Sequence, residues 1–387
     1  MRAALTNFGS RGDVQPYLAL ASELRRQGHR PVVATSPEYG PWVESHGLEF
    51  CQLGPRMSEV QRATMAAEIS AAGVDHSVEL IKPLLSLVES TLAEAFDQLK
   101  ALCSDCDVLI SGPEQAIAQL VREVLGVPLA LVQLGHFELP VWPDVQKECA
   151  AFLNSFRARI GLPEADDYLI HDPQIELYAM SRHVISRPSD WPLNRHLTGY
   201  FFLDDDDWQP DPSLLDFIDA GEPPVVICFS SMIHENPEAM TDLVVDAMKI
   251  AGYRAIIQQG WSGLGRRSLP ASIYQTGSVP HSWLFRRAAC VVHHGGAGTA
   301  ASAFRAGVPS VFIPHYSDQP LWAMHFHKAG YAVSPIPLNQ LSAERLATAT
   351  AMTLSQPVYR EKASELGRKI EAERGVEQAL QLIEQTI

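Results

Sequence analysis

The stretch HHGGAGT, from His293 to Thr299, places residues that can bind an anion between an apolar run and a helical pattern. Its glycines let the main chain turn tightly and approach a ligand closely. The backbone N–H groups at the helix start, the His293 imidazole and the Thr299 hydroxyl can all donate to phosphate oxygens. Because the Gly-Lys-Ser/Thr of a Walker loop is missing, the pattern predicts a diphosphate site without a bound lysine. The alternative is a glycine-rich helix start that binds no ligand.

A second polar group, Ser317-Asp318-Gln319-Pro320, follows the apolar run VPSVFIP. A carboxylate and an amide together can bind several hydroxyls, as recognition of a sugar requires. The alternative is that Asp318 caps a helix that has Pro320 in its first turn. Both descriptions can hold at once.

Asp13 follows the first apolar run of the chain, in GSRGDVQP. A carboxylate at the carboxyl end of a strand can accept the proton of an attacking hydroxyl. With an ordinary pKa of about 3.9, an aspartate is ionised at neutral pH but is a weak base. The alternative makes Asp13 the N-cap of a helix that begins at Pro16, and the residues alone leave both roles open.

Two series of strand–helix–strand patterns must position these groups. The first has strands at 2–8, 29–35, 108–111 and 127–131, and helices at 16–27, 77–102 and 114–125. The second has strands at 223–231, 253–259, 288–294 and 308–314, and helices at 237–251, 297–306, 318–329, 343–354 and 359–386, the last with a break near Gly375. Such series indicate parallel sheets, whose ligands bind at the carboxyl ends of the strands near the switch point.

The length of 387 residues allows two or three domains. The acidic, proline-rich stretch YFFLDDDDWQPDPS has the composition of a linker. We therefore predict an α/β protein with two doubly wound, Rossmann-like domains that face each other across a cleft. The predicted parts are an N-terminal domain 1–203, a linker 204–212, a C-terminal domain 213–355, and helices in 356–387 that pack back toward the N-terminal domain.

Composition excludes several classes of protein. With 30 Lys plus Arg against 45 Asp plus Glu, the net charge is −15, which argues against a nucleic-acid partner. No apolar run is long enough for a transmembrane helix, and the N-terminal run is broken too early for a signal peptide. Cys103 and Cys106 are interpreted as reduced thiols at a helix end, so we expect a cytoplasmic protein. The run Asp204–Asp207 is interpreted as a solvated acidic loop, and no metal site is predicted.

The ordered set HHGGAGT, AGVP, a strand and DQP resembles the nucleotide-sugar-dependent glycosyltransferases of the two-domain GT-B fold. GSRGDVQP, GWSGLG at 260–265 and VPHSWLF at 279–285 are similar to the sterol 3-beta-glucosyltransferase branch. The antibiotic-aglycone glycosyltransferases are near relatives of that branch. The resemblance runs from residue 1 to about residue 330.

The resemblance implies a donor site in the C-terminal domain and no cofactor besides a nucleotide-sugar co-substrate. The backbone around Val279 would meet the nucleobase, with Gly260 and Trp261 on the nucleotide side. The residues that would hold the diphosphate are His293, Gly296, Gly298 and Thr299, with Ser230 and Ser231 on the other phosphate-facing loop. Asp318 and Gln319 would bind the sugar hydroxyls. Relatives usually have glycine in place of Ser230, which puts a close backbone approach there in doubt.

For the N-terminal domain, the resemblance implies acceptor binding and Asp13 as the catalytic base. The candidate acceptor-binding residues are Met57, Met65, His136, Phe137 and Trp142. The expected reaction is a metal-independent, inverting hexosyl transfer from UDP-glucose to a hydroxyl of a sterol, triterpenoid or polyketide aglycone, giving a β-glycoside. The alternatives are a dTDP-sugar-dependent natural-product glycosyltransferase and a sugar-nucleotide epimerase of the same fold. A transient contact with a membrane surface would come from apolar loops around 57–75, and the oligomeric state is left open.

Overall fold

The computed structural model describes residues 1–56, 78–113, 115–135, 143–166, 172–205, 207–232, 234, 236–261 and 263–387, with backbone alone at 78–90 and 143–146. The chain forms two compact units. Unit 1 comprises residues 1–203 and 373–387, and unit 2 comprises residues 204–372.

The described strands of unit 1 form a seven-stranded parallel sheet in the order β3-β2-β1-β4-β5-β6-β7. The strands are β1 Arg2–Thr6, β2 Arg30–Thr35, β3 Glu49–Gln52, β4 Val108–Ser111, β5 Leu129–Gln133, β6 Ile175–Tyr178 and β7 Arg195–Leu197. The chain builds outward from β1 on one side and from β4 on the other. The switch point of this sheet therefore lies between β1 and β4.

The helices of unit 1 are α1 Arg11–Arg26, α2 Gly40–Ser45, α3 Val78–Cys103, α4 Ala116–Leu125, α5 Pro143–Arg159 and, from the end of the chain, α13 Gly375–Thr386. Leu18, Leu20 and Leu24 of α1 are buried in a core that contains residues of the sheet and of α13. Helix α1 begins at Arg11 and contains Pro16, so the prediction that it starts at Pro16 was wrong. Ser10 is its N-cap residue.

The described strands of unit 2 form a five-stranded parallel sheet in the order β10-β9-β8-β11-β12. The strands are β8 Val225–Cys228, β9 Ala255–Gln258, β10 Ile273–Thr276, β11 Cys290–His293 and β12 Ser310–Phe312. β8, β9, β11 and β12 are buried along their whole length, as expected for parallel strands covered on both faces. The switch point lies between β8 and β11.

The helices of unit 2 are α6 Pro212–Asp219, α7 Pro237–Ala251, α8 His281–Leu284, α9 Ala297–Arg305, α10 Gln319–Lys328, α11 Ala343–Ser355 and α12 Pro357–Glu371. Asp204 is not merely solvated, as its acidic run suggested. Its carboxylate accepts two hydrogen bonds from Arg305 at the end of α9, at 2.8 and 2.7 Å. Within the described parts of both units, no helix is long and apolar enough to cross a membrane.

The two C-terminal helices belong to different units. α12 packs against α9, and a Cβ on its Gly367 would lie 2.6 Å from the Phe304 carbonyl oxygen. α13 packs against α1 and β6 and buries Ala379, Leu380 and Ile383 in the core of unit 1. The prediction that the whole tail packs toward the N-terminal domain therefore applies to α13 and was wrong for α12.

Candidate active site

In unit 2, the loop between β11 and α9 has the geometry of an anion site. Gly295 has φ +92°, which favours glycine, and a Cβ there would lie 3.2 Å from the Gln319 carbonyl oxygen. α9 begins after Gly296, which has no side chain to cap the first amides. Gly298 is exposed with open space above it, and Thr299 is buried. The first turn of α9 therefore keeps N–H groups that a bound anion could satisfy.

His293, at the end of β11, is fully buried and has a defined tautomer. Its Nδ1 accepts a hydrogen bond from the Gly295 N–H at 3.2 Å, so the ring proton lies on Nε2. Nε2 is buried and has no hydrogen-bond partner among the described residues. Burial, followed by the charges of His294 and His281, holds the pKa of His293 well below its usual range. His293 therefore offers a neutral N–H donor next to the glycines.

The loops after β8 and β9 are joined through their main chains. The Ser230 carbonyl oxygen accepts a hydrogen bond from the Trp261 N–H at 2.8 Å. A Cβ on Gly260, which has φ +52°, would lie 2.9 Å from the Ser230 carbonyl carbon. Ser230 itself has φ +55°, a left-handed conformation that glycine adopts most easily. Serine thus adopts at position 230 the conformation that glycine would take, while its approach to a phosphate stays a prediction; the neighbouring Ser231 is half-buried.

Asp318 and Gln319 hold the loop after β12. Asp318 occupies the N-cap position of α10 but makes no side-chain cap, and its Oδ2 accepts from the Trp322 indole N–H at 2.9 Å. The Gln319 Oε1 accepts from the main-chain N–H groups of His315 and Tyr316, at 2.9 and 3.3 Å. Both residues follow β12 and have structural partners, and their assignment to the sugar hydroxyls stays a prediction.

Val279 lies in the core of unit 2. Its side chain is buried, and its carbonyl oxygen accepts from the Gln258 Nε2 at 2.7 Å. Gln258 ends β9, and its Oε1 is buried without a partner in the described chain. Trp261, by contrast, is 46% exposed. The Gln258 side chain, which no sequence motif singled out, therefore binds the backbone that the resemblance assigns to the nucleobase.

Two further histidines, His234 and His315, were not predicted. They lie in the loops after β8 and β12, and their rings contact each other edge to face with centroids 5.1 Å apart. Burial lowers the pKa of His234 to about 4. Burial and the neighbouring His234 lower the pKa of His315 to about 3. Neither histidine belongs to a recognisable motif, so the sequence carried no signal that the two rings would meet.

In unit 1, Asp13 is the third residue of α1, the helix that follows β1. Its Oδ2 accepts from the backbone N–H and the hydroxyl of Ser10, at 2.7 and 2.8 Å. Its Oδ1 accepts no hydrogen bond from the described part of the chain. Burial raises the pKa of Asp13, although the bonds from Ser10 act in the opposite direction. The hydrogen bonds from Ser10 therefore go to only one of the two carboxylate oxygens.

The turn that precedes Asp13 is fixed by residues from several elements. Gly9 has φ +132°, and a Cβ on it would lie 2.8 Å from the Asp13 carboxyl carbon. Asn7 donates to the Asp13 carbonyl oxygen at 2.8 Å and accepts from Gln115 at 3.0 Å. Because Gln115 follows β4, this connection crosses the switch point of the sheet. Tyr39 donates to the Gly9 carbonyl oxygen at 3.0 Å.

The acceptor residues predicted from the resemblance, Met57, Met65, His136, Phe137 and Trp142, lie outside the described residues. Their assignment stays a prediction. Among the described residues, no three His, Cys, Asp or Glu side chains are grouped so that they could hold a metal ion.

Two parallel α/β units with polar loops at their switch points are the architecture of the GT-B glycosyltransferases, and solved structures share it. The spinosyn rhamnosyltransferase SpnG has a TM-score of 0.73 at 20% identity, covering 99% of this chain and all of its own. The glycosyltransferase VinC in complex with dTDP has a TM-score of 0.70 at 18% identity, covering 100% of this chain and 99% of its own. The protein therefore has the GT-B fold.

Sequence comparison gives the family. Residues 3–132 match the glycosyltransferase family 28 N-terminal domain, and residues 254–383 match the C-terminal domain of the erythromycin biosynthesis protein CIII-like family. The O-mycaminosyltylonolide 6-deoxyallosyltransferase of Streptomyces fradiae is 33% identical, with 100% of this chain and 97% of that protein aligned. A sterol 3-beta-glucosyltransferase of Arabidopsis thaliana is 32% identical over 98% of this chain and 67% of its own length. The chain belongs to the glycosyltransferase family that includes these antibiotic and sterol enzymes, and it is a glycosyltransferase.

Proposed function

We propose that this glycosyltransferase transfers glucose from UDP-glucose to a hydroxyl of a lipophilic acceptor, with inversion at the anomeric carbon. The observation that carries the proposal is the β11–α9 loop, where an uncapped helix start lies beside the Nε2–H of His293, which has no partner among the described residues. Such a set of donors suits the diphosphate of a nucleotide sugar. The sterol glucosyltransferases among the relatives favour glucose and a sterol-like acceptor.

Asp13 is the proposed base. Its Oδ1, which accepts no hydrogen bond from the described residues, would take the proton of the acceptor hydroxyl while the hydroxyl oxygen forms the new bond to the anomeric carbon. The bond from that carbon to the diphosphate breaks, and UDP leaves toward His293 and the first amides of α9. The raised pKa of Asp13 supports this role, because a base is more effective when its pKa approaches the working pH. Attack on the face opposite the leaving group turns an α-linked donor into a β-glycoside.

A second candidate donor is a dTDP-sugar. It is favoured by the 6-deoxyallosyltransferase relative and by the structural similarity to VinC, whose structure contains dTDP. Independence from metal ions, a cytoplasmic location and a transient membrane contact remain predictions. The first of these is tested by adding a chelator to the assay.

The deciding experiment is product analysis with UDP-glucose and dTDP-glucose, each offered with a panel of sterols, triterpenoids and polyketide aglycones. We expect a β-glucoside from UDP-glucose and one class of acceptor. Asp13→Asn should reduce kcat by about 10²- to 10⁴-fold. The exposed Asp97 on α3 gives the matched control, since Asp97→Asn should leave kcat unchanged.

Three outcomes would contradict parts of the proposal. Full turnover by Asp13→Asn would remove the base, and transfer from dTDP-glucose alone would replace the donor. A converted sugar nucleotide without any glycoside would indicate an epimerase instead.

A further inference from the structure

Two loops of unit 2 converge on the end of β11. The loop after β8 carries His234, and the loop after β12 carries His315, whose rings are in contact. Because β8 and β12 are the two neighbours of β11 in the sheet, this pair lies at the carboxyl end of the strand that ends with His293. Phe229 contacts both rings, with centroid distances of 5.4 Å to each.

The tautomer of His315 is determined by its own loop. Its Nδ1 lies 2.8 Å from the Ile313 carbonyl oxygen, which can only accept, so the ring proton is on Nδ1. The Nε2 of His315 then carries a lone pair, and it is buried without a partner among the described residues. The Gln319 Oε1 accepts a hydrogen bond from the main-chain N–H of His315 at 2.9 Å.

His293 and His315 therefore offer opposite chemistry at the same end of the sheet. His293 presents an N–H, which suits a phosphate oxygen. His315 presents a lone pair on a neutral ring, which a phosphate oxygen would repel and which requires an O–H or N–H donor. A buried acceptor without a donor is costly, and the hydroxyls of a sugar are the donors that a nucleotide sugar places next to its diphosphate.

We propose that the Nε2 of His315 accepts a hydrogen bond from one hydroxyl of the transferred sugar, and that this contact selects hydroxylated hexoses over deoxy sugars. The inference rests on the proposed function and adds a specificity-determining residue to it. A donor that lacks the hydroxyl leaves the buried nitrogen unpaired, which is how such sites discriminate.

Calorimetry separates the sugar contact from the diphosphate contact. His315→Phe should leave the Kd of UDP unchanged and raise the Kd of UDP-glucose by about 3- to 10-fold. His293→Ala should raise the Kd of both ligands. His315→Gln, which restores an acceptor oxygen, should recover part of the loss for UDP-glucose. His327→Phe, at the other end of α10, is the control for the substitution itself, and thermal unfolding checks that each variant folds.

Transfer rates from UDP-glucose and its 2-, 3-, 4- and 6-deoxy analogues give the second readout. The wild type should lose about tenfold or more in kcat/KM with one analogue. That penalty should disappear in His315→Phe and return in His315→Gln. The same penalty in His315→Phe, or an equal weakening of UDP itself, would overturn the inference. Absence of transfer with every UDP-sugar would instead overturn the proposed function.

Discussion

The carboxylate of Asp13 both caps the start of α1 and is the proposed catalytic base. Oδ2 closes the first turn of α1 by accepting from Ser10, while Oδ1 has no partner in the described chain. Burial outweighs the two hydrogen bonds, so the pKa of Asp13 is raised. A carboxylate that is held in place and partly desolvated is a stronger base than a solvated aspartate. The helix cap therefore serves to fix the orientation of the proposed base.

Gly9 is the residue whose replacement tests this orientation. Gly9→Ala would force a Cβ against the Asp13 carboxylate, at a φ that alanine adopts poorly. A displaced base should lower kcat by about 10²-fold while the Kd of UDP, which we place in unit 2, stays unchanged. Steady-state kinetics and calorimetry measure the two effects.

The matched control is Gly28→Ala. Gly28 also has a positive φ, +85°, but a Cβ there meets nothing within 4 Å. This variant should lose stability without losing kcat. Equal kcat in Gly9→Ala and the wild type would show that the turn does not position the base.

At the scale of the elements, the loop after β8 stores backbone strain. Ser230 adopts a left-handed conformation that costs an L-residue about 1–2 kcal/mol. Ser230→Gly should therefore raise the free energy of unfolding by up to about 1 kcal/mol, after the greater chain entropy of glycine is subtracted. Urea unfolding measures the change.

Ser231 provides the comparison within the same loop, because it does not share the positive φ. Ser231→Gly should lower the free energy of unfolding by about 0.4–1 kcal/mol. If both glycine variants shift stability in the same direction, the strain at Ser230 is not significant.

The histidines at the carboxyl ends of the unit 2 strands predict sensitivity to acid. Burial lowers the pKa of His234 and His294 to about 4, and that of His315 to about 3. Since the unfolded chain protonates near pH 6.5, it binds more protons than the folded chain below that pH. The contribution of these histidines to the free energy of unfolding should be fully present above pH 6.5. It should fall as the pH drops toward 4, by up to about 1.4 kcal/mol per pH unit for each histidine.

Urea unfolding at pH 7, 6 and 5 measures this slope. His234→Phe should make the slope shallower. The raised pKa of Asp13 contributes an opposite slope, but it is common to both proteins and cancels in the comparison. An unchanged slope in His234→Phe would show that His234 does not resist protonation in the fold.

At the scale of the whole molecule, the end of the chain completes the first unit. α13 buries Ile383 against α1 and β6, and its Gly375 approaches Gly199 so closely that a Cβ would lie 2.6 Å from the Gly199 carbonyl carbon. Unit 1 is therefore built from both ends of the sequence. Without α13, residues 1–203 would lack the apolar side chains that this helix adds to the core of unit 1.

Ile383→Ala tests that dependence. The cavity should destabilise unit 1 by about 2–5 kcal/mol. Hydrogen exchange read by mass spectrometry should show lost protection in α1 and β6, with the strands of unit 2 unaffected. Ile250→Ala removes an exposed isoleucine of α7, 58% accessible, and should change neither unit. Uniform loss of protection in both units would contradict a local role for α13.

The sequence alone determined the two series of strands and helices, and with them the switch points where Asp13 and the β11–α9 loop lie. This was possible because apolar periodicity and glycine positions are local properties of the chain. Only the tertiary structure decided which atoms remain available. The hydrogen bonds that Gly295 gives to His293 and that His315 gives to Ile313 assign one ring as donor and the other as acceptor. Such assignments depend on burial and on contacts between separate loops, which residue types and spacing do not encode.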